Sequence, residues 1–211
     1  MNNLVSFLQL ISESGVFERE SGAFMKIMPA VYRLLEDKSP GEFKPLTARC
    51  LYYNSRSPAS ALVLEDLKEE GFRMADRTVG LDMQHCLLVM KAIAQQHAAS
   101  AVLHLKDPEI FKPFSESFFC ERHRPFFEPI IQFSVKMLAM EVEKWPVFND
   151  RFASKLHRVA DKVFGFLIKF LERDDDDFNV FIHGDLWTNN IMFRYSDETD
   201  EIMDVRYIAI Y

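Results

Sequence analysis

FNVFIHGDLWTNNIMFRY, residues 178–195, sets a polar turn between two apolar runs. Phe178 to Ile182 reads as a short buried strand, His183 to Asn190 as a loop, and Ile191 to Tyr195 as a second strand. Ser196 to Glu201 is a polar turn, and Met203 to Ile210 predicts a third strand that pairs back as a hairpin. Three side chains able to do chemistry, His183, Asp185 and Asn190, thus fall in one loop whose ends are pinned by strands.

Upstream of this unit the periodicity is helical. The four aspartates Asp174 to Asp177 form a solvated connector, since four consecutive carboxylates cannot all face one ion. Asn149 to Leu171 predicts a helix with Phe152, Leu156, Val159, Val163, Phe166 and Phe170 along one face, and Pro129 to Lys144 predicts another. Pro108, Pro113 and Pro125 punctuate an irregular aromatic stretch before them. The clearest helix begins after Gly80, capped by Asp82, and runs to about His104 with Met83, Cys86, Leu87, Met90, Ile93, Ala94, His97 and Ala101 at three-four spacing. Leu51 to Tyr53 and Ala61 to Leu64 read as paired strands. Val16 to Glu36 is helical, with Phe17, Phe24, Met28 and Val31 on one face, and Pro29 should split it into two pieces. The class is α+β.

The 211 residues are 48% apolar and 27% charged, a globular balance with a sizeable core. Twenty Phe must be hidden in a thick interior or against a partner. A net charge of −7 with scattered Lys and Arg argues against nucleic-acid binding. Cys50, Cys86 and Cys120 lie far apart with no CxxC pair, which points to reduced thiols and a cytoplasmic protein and gives no support to structural zinc. No signal peptide is seen and the apolar stretches fall short of a bilayer span, so no membrane partner is expected. Seven Gly form neither GxGxxG nor a Walker A loop.

His183, Asp185 and Asn190 fit H-x-D-x-x-x-x-N, the spacing of a kinase catalytic loop. An Asp placed so accepts a hydrogen bond from a substrate hydroxyl, and an Asn five residues on turns its amide oxygen toward Mg²⁺. Plainer readings stand beside this one. His183 alone is a buried histidine holding a turn, and Asp185 and Asn190 alone are Asx-turn residues. A metal-dependent phosphoesterase would need further His and Asp ligands at close spacing, which are missing. His97 reads as a core histidine.

FIHGDLWTNNIMFRY, with ALVLEDLKEEGF at 61–72, LDMQHCLLVMKAIAQQHAAS at 81–100 and VFERESGAFMKIMP at 16–29, resembles the ecdysteroid-kinase-like (CHK kinase-like) family, within the choline and aminoglycoside kinase-like phosphotransferases. The resemblance covers nearly the whole chain. It implies a partial protein-kinase-like two-lobe fold: residues 1–67 a remnant of the small nucleotide-binding lobe, and residues 68–211 part of a largely helical lobe with the catalytic loop at 183–190. It implies ATP and Mg²⁺ as cofactors and a small-molecule hydroxyl, steroid or other alcohol, as substrate. By position it makes Asp185 the catalytic base or the carboxylate that orients the hydroxyl, and Asn190 a magnesium ligand. Leu64, Glu65, Asp66 and Leu67 become the segment between lobes that meets the adenine, and Glu20 the carboxylate that pairs with a phosphate-binding lysine.

Two parts of that pattern are absent. No lysine stands in Met1 to Gly15 ahead of Glu20, and Ala209 occupies the approximate place of a second metal-binding aspartate. The expectation is therefore a truncated family member, weakly active or inactive as written and poorly soluble from uncovered apolar surface. The alternatives are a pseudokinase acting as a binding or interaction module, and a helical interaction protein whose loop match is accidental.

Overall fold

The computed structural model describes residues 15–56, 60–117, 119–174 and 176–209. The chain forms two compact units: one runs to Pro113 and resumes at Phe178, and the other is Phe114–Asp177.

In the first unit, α1 (Val16–Gly22) passes through a π turn (Ala23–Ile27) into α2 (Met28–Lys38). The wide turn ends at Ile27, just before Pro29, so the ring that removes an N–H sits where the helix changes its winding. The helix is in two pieces as expected, joined without a gap. Phe24, Met28 and Val31 are buried, with Ala23 and Ile27 beside them. The strands β1 (Cys50–Asn54) and β2 (Ala61–Leu64) pair antiparallel.

A second sheet has the order β3-β4-β5, all antiparallel, from β3 (Phe72–Met74), β4 (Ile191–Tyr195) and β5 (Ile202–Tyr207). The expected hairpin is present, and β3 adds a strand the sequence reading did not foresee. One face of it closes on a cluster of Ala48, Leu67, Phe72 and Met192. On β5 the i, i+2 spacing puts Asp204 and Arg206 on one side of the strand. There the buried Asp204 carboxylate lies 3.1 Å from Arg206 Nη1, and Arg194 and Arg206 both stack over the Phe72 ring. Arg206 also donates to the Pro45 carbonyl.

The long helix α3 (Met83–Lys106) starts where expected, with Asp82 accepting from the His85 N–H at 3.0 Å. Its buried face is not the predicted one. Val89, Ala92, Gln96, Ala99, Ser100 and Leu103 turn inward, whereas Met83, Leu87 and Met90 are 72%, 63% and 60% exposed. Apolar residues lie almost all round this helix, and its small side chains mark the side that another segment can approach. By length and composition, with a window of mean hydropathy 1.3, α3 would also reach across a bilayer, where the sequence reading found no such stretch.

Phe178 to Ile182 takes no regular secondary structure and joins no ladder, and Phe178 and Ile182 are 76% and 55% exposed. The predicted buried strand is replaced by a segment seated on α3. Ser100 Oγ accepts from the Phe181 N–H at 3.0 Å, and Gln96 Nε2 donates to the Phe181 carbonyl at 3.0 Å. Both backbone groups find partners, so no neighbouring strand is needed.

In the second unit α4 (Arg124–Val142) starts five residues before the predicted Pro129. The predicted helix 149–171 is instead a π turn (Asn149–Ala153), α5 (Ser154–Ala160) and α6 (Val163–Leu171). The break at 161–162 is fastened from α4: Gln132 donates to the Asp161 carbonyl, and Lys136 pairs with its carboxylate at 2.6 Å. Breaking the helix turns Phe166 and Phe170 out to solvent and puts Ala139, Ala153, Ala160 and Phe164 inside.

Candidate functional site

The turn His183–Asn190 is fixed at both ends and across its middle. Gly184 takes φ 84°, the left-handed backbone that favours glycine, and so reverses the chain just ahead of Asp185. A short 3-10 turn, Thr188–Asn190, closes the loop, with the Asn190 N–H on the Trp187 carbonyl at 2.9 Å. Asn190 then enters β4, and its carbonyl accepts from the Ile208 N–H at 3.1 Å.

Asp185 and Asn190 are brought together. Asn190 Nδ2 donates to Asp185 Oδ2 and to the Asp185 carbonyl, both at 2.8 Å. The amide has spent both hydrogens on Asp185, which leaves Asn190 Oδ1 as an acceptor. Asp185 is exposed. These contacts also fit the plainer Asx-turn reading; it differs from the functional one in what binds, not in the fold.

His183 is 5% exposed. Its Nδ1 accepts from the Asp185 N–H at 3.3 Å, so the neutral ring carries its hydrogen on Nε2. The ring meets the fully buried Tyr207 edge to face at 5.2 Å. Burial pushes the His183 imidazole down to about 4, against the opposing pull of the Asp185 charge. Burial likewise pushes the Tyr207 phenol up. Among the described residues, His183 Nε2 and the Tyr207 hydroxyl have no hydrogen-bond partner.

The other expected positions take defined places. Leu64 ends β2, and Leu67 is buried in the cluster with Met192, two residues beyond Asn190. Glu65 clasps Arg49: its carboxylate accepts the Arg49 N–H at 2.7 Å and its N–H donates to the Arg49 carbonyl at 3.0 Å. Asp66 caps the 3-10 turn Leu67–Glu70 through the Lys68 N–H. Glu20 lies half-buried on α1 near Cys50, whose thiol is pushed up by burial and further by the Glu20 charge. Ala209 is 8% exposed, one residue past the Ile208 that bonds Asn190.

Sequence reasoning missed what holds the hairpin to α3. Asp82 Oδ1 lies 2.7 Å from His85 Nδ1, and His85 Nε2 lies 2.8 Å from the Tyr195 hydroxyl. From sequence Asp82 is only a helix cap and His85 carries no role, and the tyrosine ending β4 gives no sign that it is the third member.

Hard oxygen donors, the Asp185 carboxylate and Asn190 Oδ1, suit a divalent cation that keeps most of its waters. Among the described residues no three His, Cys, Asp or Glu side chains cluster to enclose an ion. Asp185 and Asn190 would supply two oxygen ligands of such a cation, the others coming from water or a bound oxyanion.

The sequence profile of the ecdysteroid kinase-like family matches residues 4–208, and the chain belongs to that family. No curated protein and no solved structure matches it. Membership implies a kinase-like phosphotransferase that acts on small molecules.

Proposed function

We propose that this chain transfers phosphate from ATP to a hydroxyl of a small molecule, a steroid or another alcohol, at the turn His183–Asn190. The observation that carries the reading is the double hydrogen bond from Asn190 Nδ2 to Asp185. It aims an exposed carboxylate and an amide oxygen from one rigid turn. Asp185 would accept the hydrogen of the substrate hydroxyl and take its proton as the oxygen bonds to the γ-phosphorus of ATP, whose bond to the bridging oxygen breaks to release ADP. His183 holds the Asp185 backbone in place, and Asn190 would hold Mg²⁺ through Oδ1. Bound ATP would supply the phosphoryl group. Leu64, Glu65, Asp66 and Leu67 would line the adenine and Glu20 would serve the phosphate side, with the boundary between lobes near Leu67.

Ala209 supports weak turnover. A methyl group there supplies no oxygen to a second cation, so charge developing on the transferred group is less well neutralised. The same residue favours a second reading, a nucleotide-binding module without catalysis.

Purified protein with Mg²⁺, labelled ATP and a panel of sterols and amino alcohols tests both. The expected result is slow transfer, lost in Asp185→Ala and in Asn190→Ala and raised by Ala209→Asp. A melting shift with Mg-ATP and no transfer to any alcohol would favour the binding module. Absence of both transfer and shift would reject both readings.

A further inference from the structure

A cavity of about 530 Å³ opens in the helical unit, walled chiefly by Val142, Trp145, Phe148, Phe152, Lys155 and Leu156. That volume lies within the range that holds small ligands. Trp145 and Phe148 meet edge to face at 6.2 Å, and Phe148 and Phe152 are tilted with centroids 5.8 Å apart, giving a row of three rings. Trp145 and Phe148 are 43% and 45% exposed. A contiguous apolar surface of this kind marks a binding site more often than an idle face.

Charge says what binds. Nearby Lys144 is paired with Glu141 at 2.6 Å, and His157 with Glu143 at 2.8 Å. Arg151 and Lys155, four residues apart, have no carboxylate partner among the described residues. The Arg151 guanidinium lies over the Phe152 ring, 4.9 Å from its centroid. Lys155 lines the cavity with its methylene stem, an arrangement that leaves its ammonium for water at the rim. One uncompensated cation, Lys155, therefore lines an otherwise apolar trough, and a second, Arg151, lies against the ring of Phe152 in its wall.

We infer that this cavity binds a long-chain carboxylate as a free monomer, its alkyl chain along Trp145, Phe148 and Phe152 and its carboxylate between Arg151 and Lys155. A neutral chain would leave both cations without a counter-charge. A compact polar anion would leave the rings uncovered. The site is built without any residue of the turn His183–Asn190, so its failure would leave the phosphotransferase reading standing.

Titration calorimetry of the full chain with dodecanoate, below its micelle concentration, tests the inference against dodecanol and against phosphatidylserine vesicles. Saturable one-to-one binding of dodecanoate is expected, with dodecanol weaker by about tenfold or more. Arg151→Glu with Lys155→Glu should weaken dodecanoate by at least about tenfold while leaving dodecanol unchanged. Phe148→Ser should weaken both ligands, with the circular dichroism spectrum kept as a check of folding. Equal affinity for acid and alcohol, or no loss in the charge-reversed protein, would overturn the assignment. So would binding to vesicles without binding to free dodecanoate, or self-association that Phe148→Ser abolishes in the absence of any ligand.

Discussion

The two flanks of the turn at 183–190 are held by different means. On the downstream side β4 lies between β3 and β5, and Asn190 itself is bonded to Ile208, so the load is spread over many backbone pairs. On the upstream side the segment 178–182 pairs with no strand among the described residues, and Phe181 rests on the side chains of Ser100 and Gln96. A ladder tolerates the loss of one side chain because the backbone bonds remain. A segment seated on side chains has no such reserve.

Phe193, fully buried on β4 and edge to face with His85, is the sharpest way to break the downstream flank. Phe193→Ala should cost about 3–5 kcal/mol, read from urea unfolding of the full chain. Acid strikes where the flanks meet. An unfolded histidine takes its proton near 6.5, whereas buried His183 takes it at about 4. Between those values the unfolded chain binds more protons, so stability is complete above about 6.5 and falls as pH drops toward 4. The loss should reach up to about 3 kcal/mol. Burial also lowers His97, with the same sign. Measuring unfolding at several pH values for the wild type and for His183→Gln should show the dependence shrinking in the variant.

Ser100→Ala probes the upstream flank. It leaves the Phe181 N–H buried without its partner and should cost about 1–3 kcal/mol, with faster hydrogen exchange at Phe181 and no change along β4. Equal acceleration on both flanks would end the distinction drawn here. The smallest effect is expected at Tyr207. Its hydroxyl is buried with no partner among the described residues, so Tyr207→Phe should change stability by no more than about 0.5 kcal/mol or raise it slightly.

The same contrast explains what could be read from the sequence. β1, β2, β4 and β5 were legible because alternation and turn residues announce strands that pair locally. The Asp82 cap and the split at Pro29 were legible because their causes lie within a few residues. Phe178 to Ile182 looked like a strand, since apolar periodicity does not disclose whether the hydrogen-bond partners are backbone or side chain. The inward face of α3 was hidden by apolar residues on nearly every side. The break at Asp161 was hidden because Gln132 and Lys136, which fasten it, lie far away in sequence. At the turn, the company of Asp185 with Asn190 was legible from spacing alone, whereas the seat of His183 against Tyr207 depended on where β5 ends.

The π turn at Ala23–Ile27 fits one more residue into its loop than an α-helical turn would. Deleting a single residue there would restore the ordinary winding and swing everything before it about 100° around the helix axis. Glu20 would then be carried off the side that meets Cys50. The compass bearing of that carboxylate is thus tied to one surplus residue further along the helix.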